Sequence, residues 1–120
     1  MARRQVIGRR GELRAEAYLA RQGYQPVARN VYTPYGEIDL VMLAGEDTVF
    51  VEVKTRSSRA YGNPEEAITP RKRVHMLQAA EWYMQHNGAP EGGWRIDVVA
   101  ILNASAERQE EITWFENAIS

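Results

Sequence analysis

Asp39, Glu52 and Lys54 are the residues whose types and spacing could do chemistry together. They sit in two strand-like runs, Glu37 to Leu43 and Thr48 to Lys54, joined by Ala44-Gly45-Glu46-Asp47. Turn residues between two such runs signal a hairpin. Strand side chains alternate faces, so Phe50, Glu52 and Lys54 share one face and Val49, Val51 and Val53 the other. Glu37 and Asp39 likewise share a face. With Ala44 to Asp47 as the loop, Leu43 pairs with Thr48, which sets Asp39 across from Glu52 and Glu37 across from Lys54. Directly opposed residues have Cβ atoms about 4.5–5.5 Å apart. Two carboxylates that close repel unless a proton or a cation lies between them.

Mg²⁺ suits that arrangement, with Mn²⁺ as a substitute. Mg²⁺ takes oxygen ligands and commonly uses one or two carboxylates, leaving water and a substrate phosphate to complete its shell. It would polarise the phosphate and lower the pKa of bound water. Lys54 would then hold or activate the attacking water, or offset charge at phosphorus. The plainer alternative is a solvent-facing pair of strands in which Glu37 and Lys54 form an ordinary ion pair. Val49, Phe50, Val51 and Val53 make the second strand too apolar for a fully exposed face.

The flanking sequence supplies elements to hold this hairpin. Gly11 to Gln22 reads as a helix with Leu13, Ala17 and Ala20 as its apolar stripe and Gly23 as its stop. Tyr24 to Tyr32 reads as a strand, and Pro26 favours an edge. Thr33-Pro34-Tyr35-Gly36 is turn chemistry, and Ser57 to Asn63 reads as a loop. Thr69-Pro70 starts a second helix that runs to about His86, with Val74, Leu77, Ala80 and Met84 as buried candidates. Asn87-Gly88 ends it. Trp94 to Leu102 reads as a buried strand, and Ile112 with Trp114 as a short last one. The expectation is an α/β fold of order α-β-β-β-α-β-β, a mixed sheet flanked by helices.

The 120 residues suit one domain, with residues 1–10 as a basic, flexible arm and 103–120 as an acidic C-terminal segment. Cysteine is absent, which excludes disulfides and thiol catalysis and fits a reducing cytoplasm. No apolar run approaches the roughly 20 residues that span a bilayer, and no apolar stretch follows the basic N-terminus to make a signal peptide. The net charge of −1 is unevenly spread. Residues 1–30 carry seven arginines against Glu12 and Glu16, while residues 31–53 hold five carboxylates and no cation. Lys54, Arg56, Arg59, Arg71, Lys72 and Arg73 follow, against Glu65 and Glu66. Basic segments flanking an acidic one could form a phosphate-binding rim around a cation site; a solvated mixed-charge surface is the bland alternative.

Gly36-Glu37-Ile38-Asp39-Leu40 followed by Phe50-Val51-Glu52-Val53-Lys54-Thr55-Arg56 resembles the D…ExK signature of the PD-(D/E)xK nuclease superfamily. The surrounding residues resemble its YraN-like (UPF0102) branch: Gly11-Glu12, Ala17-Tyr18-Leu19, Gly23-Tyr24, Ala28-Arg29-Asn30, Tyr61-Gly62-Asn63-Pro64, Lys72 and Arg95-Ile96-Asp97-Val98-Val99. The resemblance implies a restriction-endonuclease-like fold and a Mg²⁺-dependent endonuclease acting on DNA, branched or otherwise structured, with RNA left open. It implies Asp39 and Glu52 as metal ligands, the Val53 carbonyl as a third, and Lys54 as the catalytic lysine. Archaeal Holliday-junction resolvases of the superfamily add a glutamate from the first helix. Glu12 matches it by its spacing to Gly23-Tyr24, and Glu16, one turn on, is the competing candidate. Branch-cutting relatives act as dimers, so a homodimer is an implied partner and a membrane is not. Ile38 stands where the superfamily's proline would be. Gln78 with Trp82 only approximates the Q-x-x-x-Y of other branches.

Arg9, Arg10, Arg56, Arg71 and Lys72 are the candidate phosphate contacts. Cations in the first turn of a helix oppose its dipole, so a phosphate contact would account for Arg71 and Lys72, with a solvated helix end as the alternative. His75 and His86 lie about 16 Å apart on one helix and cannot share a metal. Asp97 reads as the structural partner of a buried arginine. Trp82, Trp94 and Trp114 read as core or interface residues rather than base-stacking platforms. The competing function is a nucleic-acid-binding scaffold that keeps the nuclease fold without efficient catalysis.

Overall fold

A computed structural model describes residues 2–58, 62, 68–87 and 92–119, with side chains from residue 9 onward. Seven elements follow in order: α1 (Ala2–Arg21), β1 (Gln25–Thr33), β2 (Gly36–Ala44), β3 (Asp47–Arg56), α2 (Pro70–His86), β4 (Trp94–Leu102) and β5 (Glu111–Ile119). The expected order is the observed one. The strands form a single sheet ordered β1-β2-β3-β4-β5. Neighbours are antiparallel except β3 and β4, which run parallel. Parallel neighbours need a long connection, and the segment carrying α2 provides it.

The sheet is covered on both faces. Ala15 and Leu19 of α1 pack on Leu40, Met42, Val49, Val51, Val99 and Ile101. Ala79 and Ala80 of α2 pack on Ile38, Val41, Phe50, Ile96 and Val98. Phe50 and Val51 are adjacent in β3 yet belong to opposite cores, as strand alternation requires. The start of α2 is as read from sequence: Thr69 caps it by accepting the Lys72 N–H at 3.2 Å, and Pro70 occupies its first turn.

Several sequence expectations change. α1 begins at Ala2, so its backbone includes the segment expected as a flexible arm. Its buried stripe is Gly11, Ala15 and Leu19 rather than Leu13, Ala17 and Ala20, and Leu13 is 51% exposed. Gly11 lets the helix lie close to β3 at Thr55, and Leu19 supplies the large apolar side chain of the stripe in place of Leu13. On α2, Val74 is likewise exposed, while Ala79 joins Ala80 in the core and Leu77 and Met84 are partly buried. The β2–β3 turn is tighter than four residues, because Ala44 pairs with Asp47 and leaves Gly45, at φ 65°, and Glu46 to turn the chain. The Leu43–Thr48 register is the expected one. β5 extends to Ile119 and pairs along β4 well beyond Trp114.

Arg59, Tyr61, Asn63, Pro64, Glu65 and Glu66 lie outside the described residues, as do the side chains of Arg3 and Arg4. No described helix is long and apolar enough to cross a membrane.

Candidate active site

Backbone pairing between β2 and β3 runs from Ala44–Asp47 to Leu40–Val51. Just beyond, the Asp39 carboxylate accepts the Val53 N–H at 2.9 Å. A side chain thus takes over where the paired ladder ends, and it fixes Asp39 against the strand that carries Glu52 and Lys54. On the other side of β2, Arg29–Leu40 and Val31–Ile38 pair, leaving Asn30 between them opposite Asp39. Asn30 has φ 50°, a left-handed conformation that asparagine tolerates better than most residues.

That asparagine gathers acids from two elements. Its Nδ2 donates to Glu12 Oε1 at 2.8 Å and to Glu37 Oε1 at 2.7 Å. Glu12, Glu37 and Asp39 each place a carboxylate oxygen within 4.8 Å of the others. Glu12 reaches this point because α1 approaches β3 closely at Gly11, where a Cβ would lie 2.4 Å from Thr55 Oγ1. Glu16 turns elsewhere: it accepts from Arg29 Nη2 at 2.8 Å, and that bond holds its carboxyl below the usual range. The geometry therefore places Glu12, not Glu16, beside Asp39.

Glu52 is buried on the α2 face of β3 and carries two ammonium groups on one oxygen, Lys54 Nζ at 3.3 Å and Lys72 Nζ at 3.4 Å. The expected apposition of Glu37 and Lys54 is not observed, because Glu37 bonds Asn30 and Lys54 bends back to Glu52. Glu37 and Glu52 border the same pocket, walled by Ile38, Phe50, Met76 and Ala79.

Charge is concentrated where water is scarce. The Asp39 carboxyl is pushed up to about 8, first by burial, then by the Glu52 charge and more weakly by Glu12 and Glu37. The Val53 N–H works against this rise. Glu12 is also raised, by burial first and by the charges of Glu37 and Glu52, against hydrogen bonds with Asn30 and Asp39. Carboxylates crowded in this way bind a proton or a cation readily.

Two groups thus lie near each other, Glu12, Glu37 and Asp39 on one side and Glu52, Lys54 and Lys72 on the other, with the Val53 N–H joining Asp39 to the strand that carries Glu52. Arg56 and Arg71 are exposed next to the second group, two residues after Lys54 and one before Lys72. Arg9 and Arg10 are exposed on α1, and Arg10 borders a separate pocket with Arg14 and Glu110. Asn30 and the Lys72–Glu52 contact went unassigned in the sequence. Counting back across the Thr33–Gly36 pair places Asn30 opposite Asp39, so a signal for the asparagine did exist. Asp97 proves structural, fully buried against Arg95, Trp114 and Asn117. Trp114 packs edge-on to Tyr18 and Tyr24. His86 stacks on Trp82 and bonds its carbonyl at 2.8 Å.

The model of a family described as "Uncharacterised protein family UPF0102" matches residues 11–101. A UPF0102 protein of Moorella thermoacetica is 41% identical over 109 residues, covering 91% of this chain and 88% of that protein. One from Leifsonia xyli is 42% identical over 111 residues, covering 92% and 93%. One from Beutenbergia cavernae is 45% identical over 115 residues, covering 93% and 97%.

Proposed function

This chain belongs to the UPF0102 family, and for it we propose a Mg²⁺-dependent endonuclease that hydrolyses phosphodiester bonds in DNA, branched or structured DNA foremost. The observation that carries this reading is the convergence of Glu12, Asp39, Glu52 and Lys54 where β2–β3 pairing ends.

The donor set fits the metal. Every candidate ligand is a hard oxygen, as Mg²⁺ prefers, and Glu12, Glu37 and Asp39 bring carboxylate oxygens within 4.8 Å of one another. Asp39 and Glu52 would hold the ion, with the Val53 carbonyl as third ligand. When bound, Mg²⁺ supplies Lewis-acid polarisation of the phosphoryl oxygen. Lys54 would donate an N–H to the attacking water and position it; as the water oxygen bonds to phosphorus the opposite P–O3′ bond breaks, the water losing a proton to solvent and the departing 3′ oxygen taking one up. Glu12, held by Asn30, supports the cluster from α1. Lys72, which contacts Glu52, and its neighbour Arg71 would grip phosphates together with Arg56, and Arg9 and Arg10 would extend the grip along α1. The cysteine-free composition suits work in a reducing cytoplasm.

The test is incubation of purified protein with labelled linear, flapped and four-way-junction DNA, and with RNA, in Mg²⁺, Mn²⁺ or EDTA. Products are expected only with metal, and Lys54→Ala should slow their formation by about a hundredfold or more, the scale of one lost hydrogen-bond donor at a reacting centre. One observation favours a second reading, a binding scaffold without turnover: two lysines already compensate Glu52. Binding without cleavage under every metal, with no metal-dependent thermal stabilisation, would select it.

The close approach at Gly11 gives a separate check. Gly11→Ala must displace Thr55 or lift α1, and with it Glu12. Cleavage is expected to fall by about tenfold, since small misplacements of a catalytic set are costly. Adding Thr55→Ala removes the clashing oxygen and should restore most of that loss. A double variant as slow as Gly11→Ala alone would separate Gly11 from the placement of Glu12.

A further inference from the structure

A second pocket opens beside the carboxylate cleft, bounded by Tyr35 from the β1–β2 turn and by Gln78, Glu81, Trp82 and Gln85 from α2. We propose that it receives one unpaired nucleobase of the substrate, next to the bond that is cut. The proposal rests on the nucleic-acid reading above and names the substrate feature that this site would select.

Its contents suit a planar heterocycle. Tyr35 supplies an aromatic face, and Trp82, expected from sequence to be a core or interface residue and stacked by His86 on one side, supplies another through its lining of the pocket; bases stack on such faces whatever their sequence. Gln78 and Gln85 each offer both donors and an acceptor, and Glu81 adds a carboxylate that accepts from exocyclic amino groups. An apolar peptide would find these polar side chains a poor lining. The space is about 280 Å³, just under the ~300–1,000 Å³ of pockets for drug-sized ligands. That is room for one small flat group.

The tyrosine is presented in a fixed turn. Thr33 Oγ1 donates to the Gly36 carbonyl at 2.7 Å and accepts the Tyr35 N–H at 3.1 Å. Tyr35 is nevertheless 43% exposed, and Tyr32 on the same hairpin is 76% exposed. Exposed aromatic rings on a braced turn can stack on a ligand with little further ordering cost.

Continuity with the cleft decides what the pocket serves. Glu37 follows Tyr35 by two residues, and both Glu37 and Ala79 line the carboxylate pocket. Gln78 precedes Ala79 on α2. The two pockets are therefore lined by near neighbours, two residues apart at the start of β2 and adjacent on α2. A base next to a phosphate held in the cleft can enter the second pocket only if it is unpaired, since a paired base stays inside its duplex. Recognition of splayed bases by stacking and amide contacts is the usual solution for unpaired nucleic acid.

The test uses oligonucleotides carrying one 2-aminopurine, as single strands, flaps and full duplexes, in DNA and RNA forms, titrated with the full chain in EDTA so that nothing is cut. Fluorescence should quench on binding for single strands and flaps. Tyr35→Ala should weaken that binding by about tenfold, the scale of one lost base–aromatic stack, and duplex binding by less than twofold. Tyr35→Trp should restore it. Equal weakening on duplex and single strand, no weakening, or no quenching with any oligonucleotide overturns the pocket. Its failure is distinct from that of the nuclease reading: Tyr35-dependent quenching without metal-dependent cleavage keeps the pocket and loses the hydrolysis. Cleavage indifferent to Tyr35 does the reverse. The DNA and RNA arms show which polymer supplies the base.

Discussion

Asp39→Asn is expected to lower metal-dependent cleavage by about a thousandfold or more while making the metal-free protein more stable at alkaline pH. The loss follows from removing a charged ligand: transition-state stabilisation by a bound metal amounts to several kcal/mol, and each ~1.4 kcal/mol is tenfold in rate. The gain follows from linkage. The Asp39 carboxyl sits at about 8 in the folded protein against an ordinary 3.8, so the folded state holds this proton more tightly than the unfolded chain. The associated stability is complete below about pH 4 and is lost as pH rises through about 8. Metal-free wild type should therefore melt at progressively lower temperature from pH 4 to pH 9. Asparagine stays neutral throughout, so this slope should flatten, and at pH 9 the variant should melt above wild type by at least about 4 °C. Mg²⁺ should raise the wild-type melting point and leave the variant little changed. Differential scanning calorimetry across pH, with and without Mg²⁺, reads all of this. Cleavage surviving in Asp39→Asn would remove Asp39 from the chemistry, and an unchanged slope would remove it from the electrostatics.

The site was partly legible in sequence. Asp39, Glu52 and Lys54 interrupt apolar strands, and a period of two with one turn puts them at the same end of one hairpin, although the paired ladder stops at Leu40–Val51, short of the expected Asp39–Glu52 pair. Glu12 arrives from another element, and the resemblance, not periodicity, pointed to it. Its placement depends on Gly11 lying against Thr55, a contact between residues 44 positions apart that no local pattern encodes. The same limit misassigned the α1 stripe. Periodicity fits the Leu13 stripe as well as Gly11, Ala15 and Leu19, and the sheet selects the second because Gly11 permits the close approach to Thr55 while Leu19 fills the core. Lys72 is a third case. Its place in the first turn of α2 suggested a phosphate contact, but the crossover between parallel β3 and β4 swings that turn over Glu52. Parallel pairing was not readable from strand order alone. It is what turns a hairpin with two acids into a cleft with a roof.

Asp97→Ala is expected to have the largest effect on stability and almost none on cleavage by the folded protein. The β4–β5 register slips between Ile96 and Val98, and near that slip Asn117 adopts φ 48°. Asp97 Oδ1 accepts the Asn117 N–H at 2.8 Å and the Arg95 Nε–H at 3.0 Å, while Oδ2 accepts the Trp114 indole at 2.9 Å. Arg95 also reaches the Tyr24 hydroxyl and lies 5.6 Å from its ring centre. One fully buried carboxylate thus ties β4, both halves of β5 and the segment after α1 together. Alanine there leaves three donors without their acceptor, one of them a partly buried guanidinium. Breaking such a pair from one side costs about 3–5 kcal/mol, which for a chain of this size lowers the melting point by about 10–20 °C. Asp97→Asn keeps two acceptor lone pairs and should lose less. No hydrogen bond or ion pair links Asp97 to Glu12, Asp39, Glu52 or Lys54 among the described residues, so cleavage well below the melting point should stay within about twofold of wild type. A variant that melts normally but no longer cuts would instead place Asp97 in the chemistry, and would transfer the stabilising role to the packing of Trp114 against Tyr18 and Tyr24.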